Sequence, residues 1–313
     1  MHGYRLAFVT PTDAPRWQRW LVFSPVARLV FFTLLLVVAS MLSWLVPAGP
    51  AESAAARGLR EFGFRAVAPL LAYLALVKLI ERRPLRELAW RRLAPDGALG
   101  LAAGALLFSA VVGALWLLGS YHVVGTNPDA HWVLAAMTVG LGAGIGEEII
   151  CRGVLYRIIE EGLGSWIALL VSALFFGAAH LSNPGATLWA GLAIAIEAGI
   201  LLALIYLVTR SLWVCMGLHA AWNFMQGTVF GIPVSGTTAD GWLVSTRSGP
   251  DWLSGGVFGA EASVVALTLC TLASAVLLVA AVRRGLIVPP CWLRRETRPG
   301  RDALPVPTTT VDP

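Results

Sequence analysis

Charge is what this chain has least of. Asp, Glu, Lys and Arg make up 13% of its 313 residues, about half of the roughly 25% found in soluble domains. So little charge cannot cover the surface of a soluble globule of this length, and a disordered chain is excluded with it. Cysteine is scarce too. Cys151, Cys215, Cys270 and Cys291 stand without CxxC spacing, and three of them lie in apolar runs. They read as small core residues rather than metal ligands or a disulfide framework. Lysine is almost missing, with Lys78 alone against 22 Arg. No cleavable leader is expected, because the first apolar run follows a polar, Trp-rich start of 24 residues without a small-residue cleavage site.

What is there is apolar. Hydrophobic residues are 57% of the chain. A lipid-spanning helix needs about 20 apolar residues, and eight such helices would use about half of this length. The expected fold class is all-α: a polytopic membrane protein of about eight transmembrane helices. The apolar runs place spans near 25–46, 64–80, 98–118, 131–151, 164–182, 187–208, 211–230 and 261–282. Between His131 and Glu161 only scattered Gly interrupts the helical pattern, so the fourth helix can run about 30 residues. The stretch 81–96 reads as a charged loop, 231–260 as a Gly-, Ser- and Thr-rich loop, and the Pro- and Arg-rich tail as disordered.

The formal charge of +5 is not a nucleic-acid signal, because the bases flank apolar runs. With the N-terminus inside, 19 of the 23 bases fall on the cytoplasmic side and only Arg57, Arg60, Arg65 and Arg247 outside. That asymmetry expects both termini in the cytoplasm. The resulting division is a cytoplasmic segment 1–24, N-terminal spans in 25–130, a four-helix core 131–230, an extracytoplasmic loop 231–260, a last span 261–284 and a cytoplasmic tail 285–313.

Ionisable residues inside apolar runs are costly and mark function. The fourth run holds Glu147, Glu148 and Arg152, the fifth His180, the sixth Glu197, and the seventh His219 with Asn223. Glu148 and Arg152 are four apart, share a helix face and can pair, which leaves Glu147 about 100° round the helix. Phe176 and His180 share a face in the same way, as do His219 and Asn223. Counted at 1.5 Å per residue from the inner helix ends, Glu147, His180, His219 and Asn223 can meet at one depth, and Glu197 is not separated by depth. One intramembrane Glu, such as Glu197, reads as an interhelical hydrogen-bond partner. The joint set does not, because Asn or Ser would staple helices at less cost. His2, His122 and His131 fall near the start or in a loop and read as incidental. In GLGAGIG (140–146) no strand precedes the glycines, which argues against a dinucleotide loop. Gly140 with Gly144, and Gly142 with Gly146, instead give GxxxG spacing for close helix packing.

A carboxylate and an imidazole can deprotonate a water between them, while a second His and an amide donate to a developing oxyanion. Those are parts for peptide-bond hydrolysis. Glu147, His180 and His219 equally form a His₂Glu set that could hold Zn²⁺ with an open water position, and spacing alone does not separate the two. A proton-coupled transporter, or an idle scaffold or immunity protein of the membrane, are the competing readings.

Glu147-Glu148-x-x-x-Arg152, Phe176-x-x-x-His180 and His219-x-x-x-Asn223 resemble the three ordered motifs of the CAAX-protease and bacteriocin-processing family (CPBP, or Abi) of intramembrane endopeptidases. The resemblance spans residues 131–226. It implies an eight-helix fold with an intramembrane catalytic cavity, Glu147 and His180 as the water-activating pair, and His219 and Asn223 as oxyanion stabilisers. Glu148 and Arg152 would brace the site. It favours no cofactor over zinc, and a membrane-associated peptide or protein as substrate. The Arg bias and Ala content suggest a prokaryotic member in the inner membrane.

Overall fold

The computed structural model describes residue 4, residues 6–43 and residues 53–294; His2 and the tail from residue 295 lie outside the described residues. After a short helix α1 (Arg16–Leu21) and an apolar helix α2 (Pro25–Ser43), six helices among the described residues are long and apolar enough to cross a membrane. These are α3 (Ala55–Ile80), α4 (Trp90–Leu117), α5 (Trp132–Leu163), α6 (Ser165–Ser182), α7 (Leu188–Thr209) and, later in the chain, α9 (Val264–Arg283). Between the last two lies α8, Leu212–Phe224, continued by a π-helical segment Met225–Val229. The chain is an all-α polytopic membrane protein; six of the eight expected spans correspond to these six helices, and the shorter α2 and α8 lie where the other two were expected.

Three boundaries differ from the expectation. Helix α3 begins about nine residues before 64, because Ser53 caps a polar helix turn by accepting from the Ala56 N–H. Helix α4 begins at Trp90, inside the stretch read as a charged loop. Pro95 lies inside it, in the second turn, where its missing N–H forgoes the bond to the Arg91 carbonyl. Helix α5 does run on to Leu163.

Two strands also stand where loops were expected. β1 (Tyr121–Thr126) and β2 (Leu243–Arg247) pair antiparallel, with Tyr121 opposite Arg247 and a bulge between Val123 and Gly125. This hairpin-like ribbon joins the loop after α4 to the loop after α8 and closes one end of the bundle. The Tyr121 hydroxyl ties it down by donating to the Phe230 carbonyl at 2.9 Å.

Packing is inverted relative to a water-soluble protein. Leu34 and Val38 of α2, Leu106 of α4, Leu170 and Leu174 of α6, and Leu272 and Val276 of α9 all face outward, as helices solvated by lipid require. Helix α7 is central: 72% of its span is buried, against 22% for α9. Three cysteines are buried and free, and Cys291 is exposed, in keeping with a core role for the three in apolar runs.

The end of the bundle opposite the ribbon is held by ion pairs. Glu81 meets Arg28 at 2.9 Å, Arg83 at 2.7 Å and Arg157 at 2.9 Å. Arg83 also holds Glu87 at 2.7 Å, and the Tyr73 hydroxyl donates to the same Glu87 carboxylate. Burial pushes both carboxyls up, but for Glu81 the nearby Arg157, Arg83 and Arg28 outweigh it, and for Glu87 Arg83 does. Both therefore titrate below their ordinary value of 4.5. A carboxyl depressed in the fold contributes stability that is full above its unfolded pKa and is lost as pH falls through the folded one. The melting temperature in detergent is therefore expected to hold from neutral pH to about 4.5 and to fall below that. In Glu81→Gln the acid limb should flatten, because one titrating partner is gone. An unchanged acid limb in that variant would assign the loss to other groups.

Candidate active site

Helix α5 carries Glu147 and Glu148 on a regular turn, Ala143–Glu148, flanked by two π-helical segments, Ala136–Gly142 and Ile149–Tyr156. π-Turns inside helices concentrate at functional sites, because the extra residue per turn re-aims side chains. The glycine pairs serve two different neighbours. A Cβ at Gly144 would stand 2.9 Å from the Ala220 nitrogen of α8, and one at Gly140 3.4 Å from the Ala220 carbonyl. A Cβ at Gly146 would strike the Arg65 carbonyl of α3, and one at Gly142 would meet the Arg65 side chain at 3.4 Å. The two GxxxG stripes thus let α8 and α3 close on α5 from two sides, at the level of the glutamates.

Glu148 is fully buried between a guanidinium and an imidazole. Arg152 donates to its Oε1 at 2.8 Å, one helical turn away as the spacing expected. Arg152 also donates to the Ala198 and Gly199 carbonyls at 2.8 and 3.0 Å. Those belong to a π-helical segment of α7, whose displaced carbonyls are free to accept. The guanidinium lies 4.8 Å over the Phe176 ring, so Phe176 is part of the same brace. The third contact was not legible in the spacing: Glu148 Oε1 also holds His219 Nδ1 at 2.9 Å. Glu148 therefore sets the orientation of an imidazole as well as neutralising Arg152.

Glu147 faces the other way, into a cavity of about 440 Å³ that it lines with His180, His219, Asn223 and Arg65. Its Oε2 lies 4.0 Å from His180 Nε2 and 3.8 Å from His219 Nε2 and has no hydrogen-bond partner. His180 Nδ1 is held 2.7 Å from the Phe176 carbonyl. A carbonyl only accepts, so Nδ1 carries a proton and Nε2 is the ring nitrogen turned to Glu147. Asn223 spends one amide N–H on the Val139 carbonyl at 3.1 Å, and its second N–H is available to the cavity. The structure thus gathers all seven motif residues from α5, α6 and α8. His122 and His131 sit apart in the loops, on the Gly119 carbonyl and on Asp240.

The His₂Glu set has the ligand types for zinc but not the spacing. Ligand atoms about 2.0–2.1 Å from a tetrahedral zinc stand roughly 3.3 Å from one another, closer than the 3.8 and 4.0 Å observed. Among the described residues no group of three His, Cys, Asp or Glu side chains is set to hold a metal ion. The separations leave Glu147 and the two Nε2 atoms spread around a space open to the cavity.

Glu197 is elsewhere. It lines a second, smaller cavity of about 40 Å³ together with Glu261, and His180, His219 and Asn223 line that cavity as well. Both are buried, and each has one carboxylate oxygen without a partner, Glu197 Oε2 and Glu261 Oε1. Glu261 and Arg65 are charged residues of this region that motif reasoning passed over. Both stand at the edge of an apolar run, 261–282 and 64–80, where counting charges inside spans would have found them.

A carboxylate and two imidazoles on three helices of a lipid-solvated bundle define a membrane protein with a polar cavity set among its spans. Residues 129–225, from just before α5 to just past Phe224 of α8, match the family model described as Rce1-like, type II CAAX prenyl endopeptidase. That match supports a likeness of this part of the chain to the CAAX-protease and bacteriocin-processing family of intramembrane proteases. It contains Glu147, Glu148, Arg152, His180, His219 and Asn223. No curated protein matches the chain.

Proposed function

We propose that this protein is an intramembrane endopeptidase that hydrolyses a peptide bond of a membrane-associated protein or peptide with a water activated by Glu147 and His180. One observation carries the reading: Glu147 Oε2 stands unpartnered between two imidazole Nε2 atoms whose Nδ1 atoms are already committed. A water seated there donates one hydrogen to Glu147 and the other to His180 Nε2. As its oxygen bonds to the scissile carbonyl carbon, its proton passes to Glu147. The carbonyl oxygen becomes an oxyanion, accepting from the second Asn223 N–H and from His219 Nε2–H when that ring carries both protons. Collapse breaks the C–N bond, and Glu147 returns the proton to the leaving amine. In this reading both termini face the cytoplasm of a prokaryotic cell, and no metal takes part.

The test is quantitative proteomics of membranes from cells carrying the intact protein or Glu147→Gln. A membrane-associated precursor should accumulate only in the variant, with the matching shortened product lost. A variant that changes ion or solute flux while every membrane protein keeps its length would favour a transporter instead.

A further inference from the structure

We propose that Arg65 recognises a carboxylate of the substrate, holding it in the cavity beside Glu147 and so selecting which peptide bond meets the activated water. The proposal rests on the endopeptidase reading of the same cavity.

Arg65 stands out among the bases of the bundle. Arg28, Arg83, Arg152, Arg157 and Arg210 are each ion-paired. Arg65 is exposed, lines the Glu147 cavity, and makes no hydrogen bond or ion pair within the described residues. It lies eleven residues after Ala54, the start of the helix, roughly 16 Å along it. An unpaired cation at the edge of an apolar run is costly unless something neutralises it. Its position is built in: the bare strip of Gly142 and Gly146 is what allows its backbone and stem to lie against α5. A larger residue at either glycine would push Arg65 away from Glu147.

The chemistry of the cavity narrows the ligand. Its other polar lining is neutral (Asn183, Ser235, Thr237, Thr238, Asn223) or belongs to the catalytic group. Glu147 is its only acid. An anion entering is therefore repelled by Glu147 and drawn to Arg65, which fixes the direction of the bound chain. On an unmodified peptide the anions are the C-terminal carboxylate and Asp or Glu side chains, and the planar guanidinium matches a carboxylate with two parallel hydrogen bonds.

The test uses full-length protein carrying Glu147→Gln, so that bound peptide is not consumed, in immobilised phosphatidylcholine nanodiscs. The probe is a pool of N-palmitoylated apolar hexapeptides in three forms: free acids, C-terminal amides, and amides carrying one Glu. Retention is read by mass spectrometry against empty discs. One carboxylate form should be retained about tenfold or more over the neutral amides, as expected for a charge-assisted pair. Enrichment of the free acids identifies a C-terminal carboxylate, and enrichment of the Glu-bearing amides a side chain. Adding Arg65→Gln should abolish the preference, and Arg65→Lys should keep part of it, with melting curves matched across the set. Equal retention of all forms, including none above empty discs, overturns the proposal. So does a preference that survives Arg65→Gln, or one erased when phosphatidylglycerol replaces part of the lipid, which would assign Arg65 to a lipid phosphate. A carboxylate preference together with no precursor accumulating in the Glu147→Gln membranes would instead sink the endopeptidase reading and leave Arg65 as an anion-binding residue.

Discussion

Glu147→Gln is expected to lower peptide-bond cleavage by about 10²-fold or more while leaving the melting temperature of the protein unchanged. The size follows from the usual 10²–10⁴-fold contribution of a general base. The lack of a stability effect follows from the geometry. Glu147 is the one motif carboxylate that nothing leans on: its side chain is 36% exposed, its Oε2 has no partner, and its closest imidazole nitrogens are 3.8 and 4.0 Å away. Gln keeps the size and one acceptor oxygen but cannot take a proton from water. The same substitution bears on metal. If Glu147 and His180 act on water directly, cleavage by the intact protein survives exhaustive chelation. Activity lost on chelation and restored by zinc, with one zinc bound per protein, would move Glu147, His180 and His219 from base and oxyanion roles to ligand roles. Retention of most activity by Glu147→Gln would remove this residue from the chemistry altogether.

The polar set was legible from sequence because two rules act on it at once. The bilayer makes every buried charge stand out against an apolar run, and helix geometry converts spacings of four into shared faces. Glu148 with Arg152, and Phe176 with His180, followed directly from those rules. What spacing could not give is the rotation of one helix against another. The Glu148–His219 contact joins residues 71 apart in the chain, and either glutamate could have been turned toward α8. The glycine stripes decide it, since Gly140 and Gly144 admit α8 on one face while Gly142 and Gly146 admit α3 on another. The strand pair was hidden for a similar reason. Tyr121–Thr126 and Leu243–Arg247 are short and more than a hundred residues apart, so each alone reads as loop. Local pattern carries no information about so distant a partner.

Glu148→Gln is expected to damage both folding and activity, for separable reasons. The side chains of Glu148 and Arg152 are fully buried, and removing one partner of a buried ion pair costs about 3–5 kcal/mol because it strands the other charge. Arg152 would keep its bonds to the Ala198 and Gly199 carbonyls but lose its only counter-ion among the described residues, so insertion yield and melting temperature should fall. The double variant Glu148→Gln with Arg152→Met removes the stranded charge and should recover much of that loss. If Glu148 served only as the counter-ion of Arg152, activity would return with stability. The hydrogen bond to His219 Nδ1 at 2.9 Å predicts otherwise. Gln can still accept there, but it brings no charge to hold an imidazolium as the oxyanion forms. The stable double variant should therefore remain impaired in kcat by about tenfold or more, the scale of losing one charge-assisted hydrogen bond. Thermal melts and single-turnover cleavage on the wild type and the two variants separate the roles. Recovery of stability and kcat together would reduce Glu148 to a structural brace. Loss of activity at Glu148→Gln with unchanged melting, alongside an active Glu147→Gln, would mean that the two glutamates exchange roles.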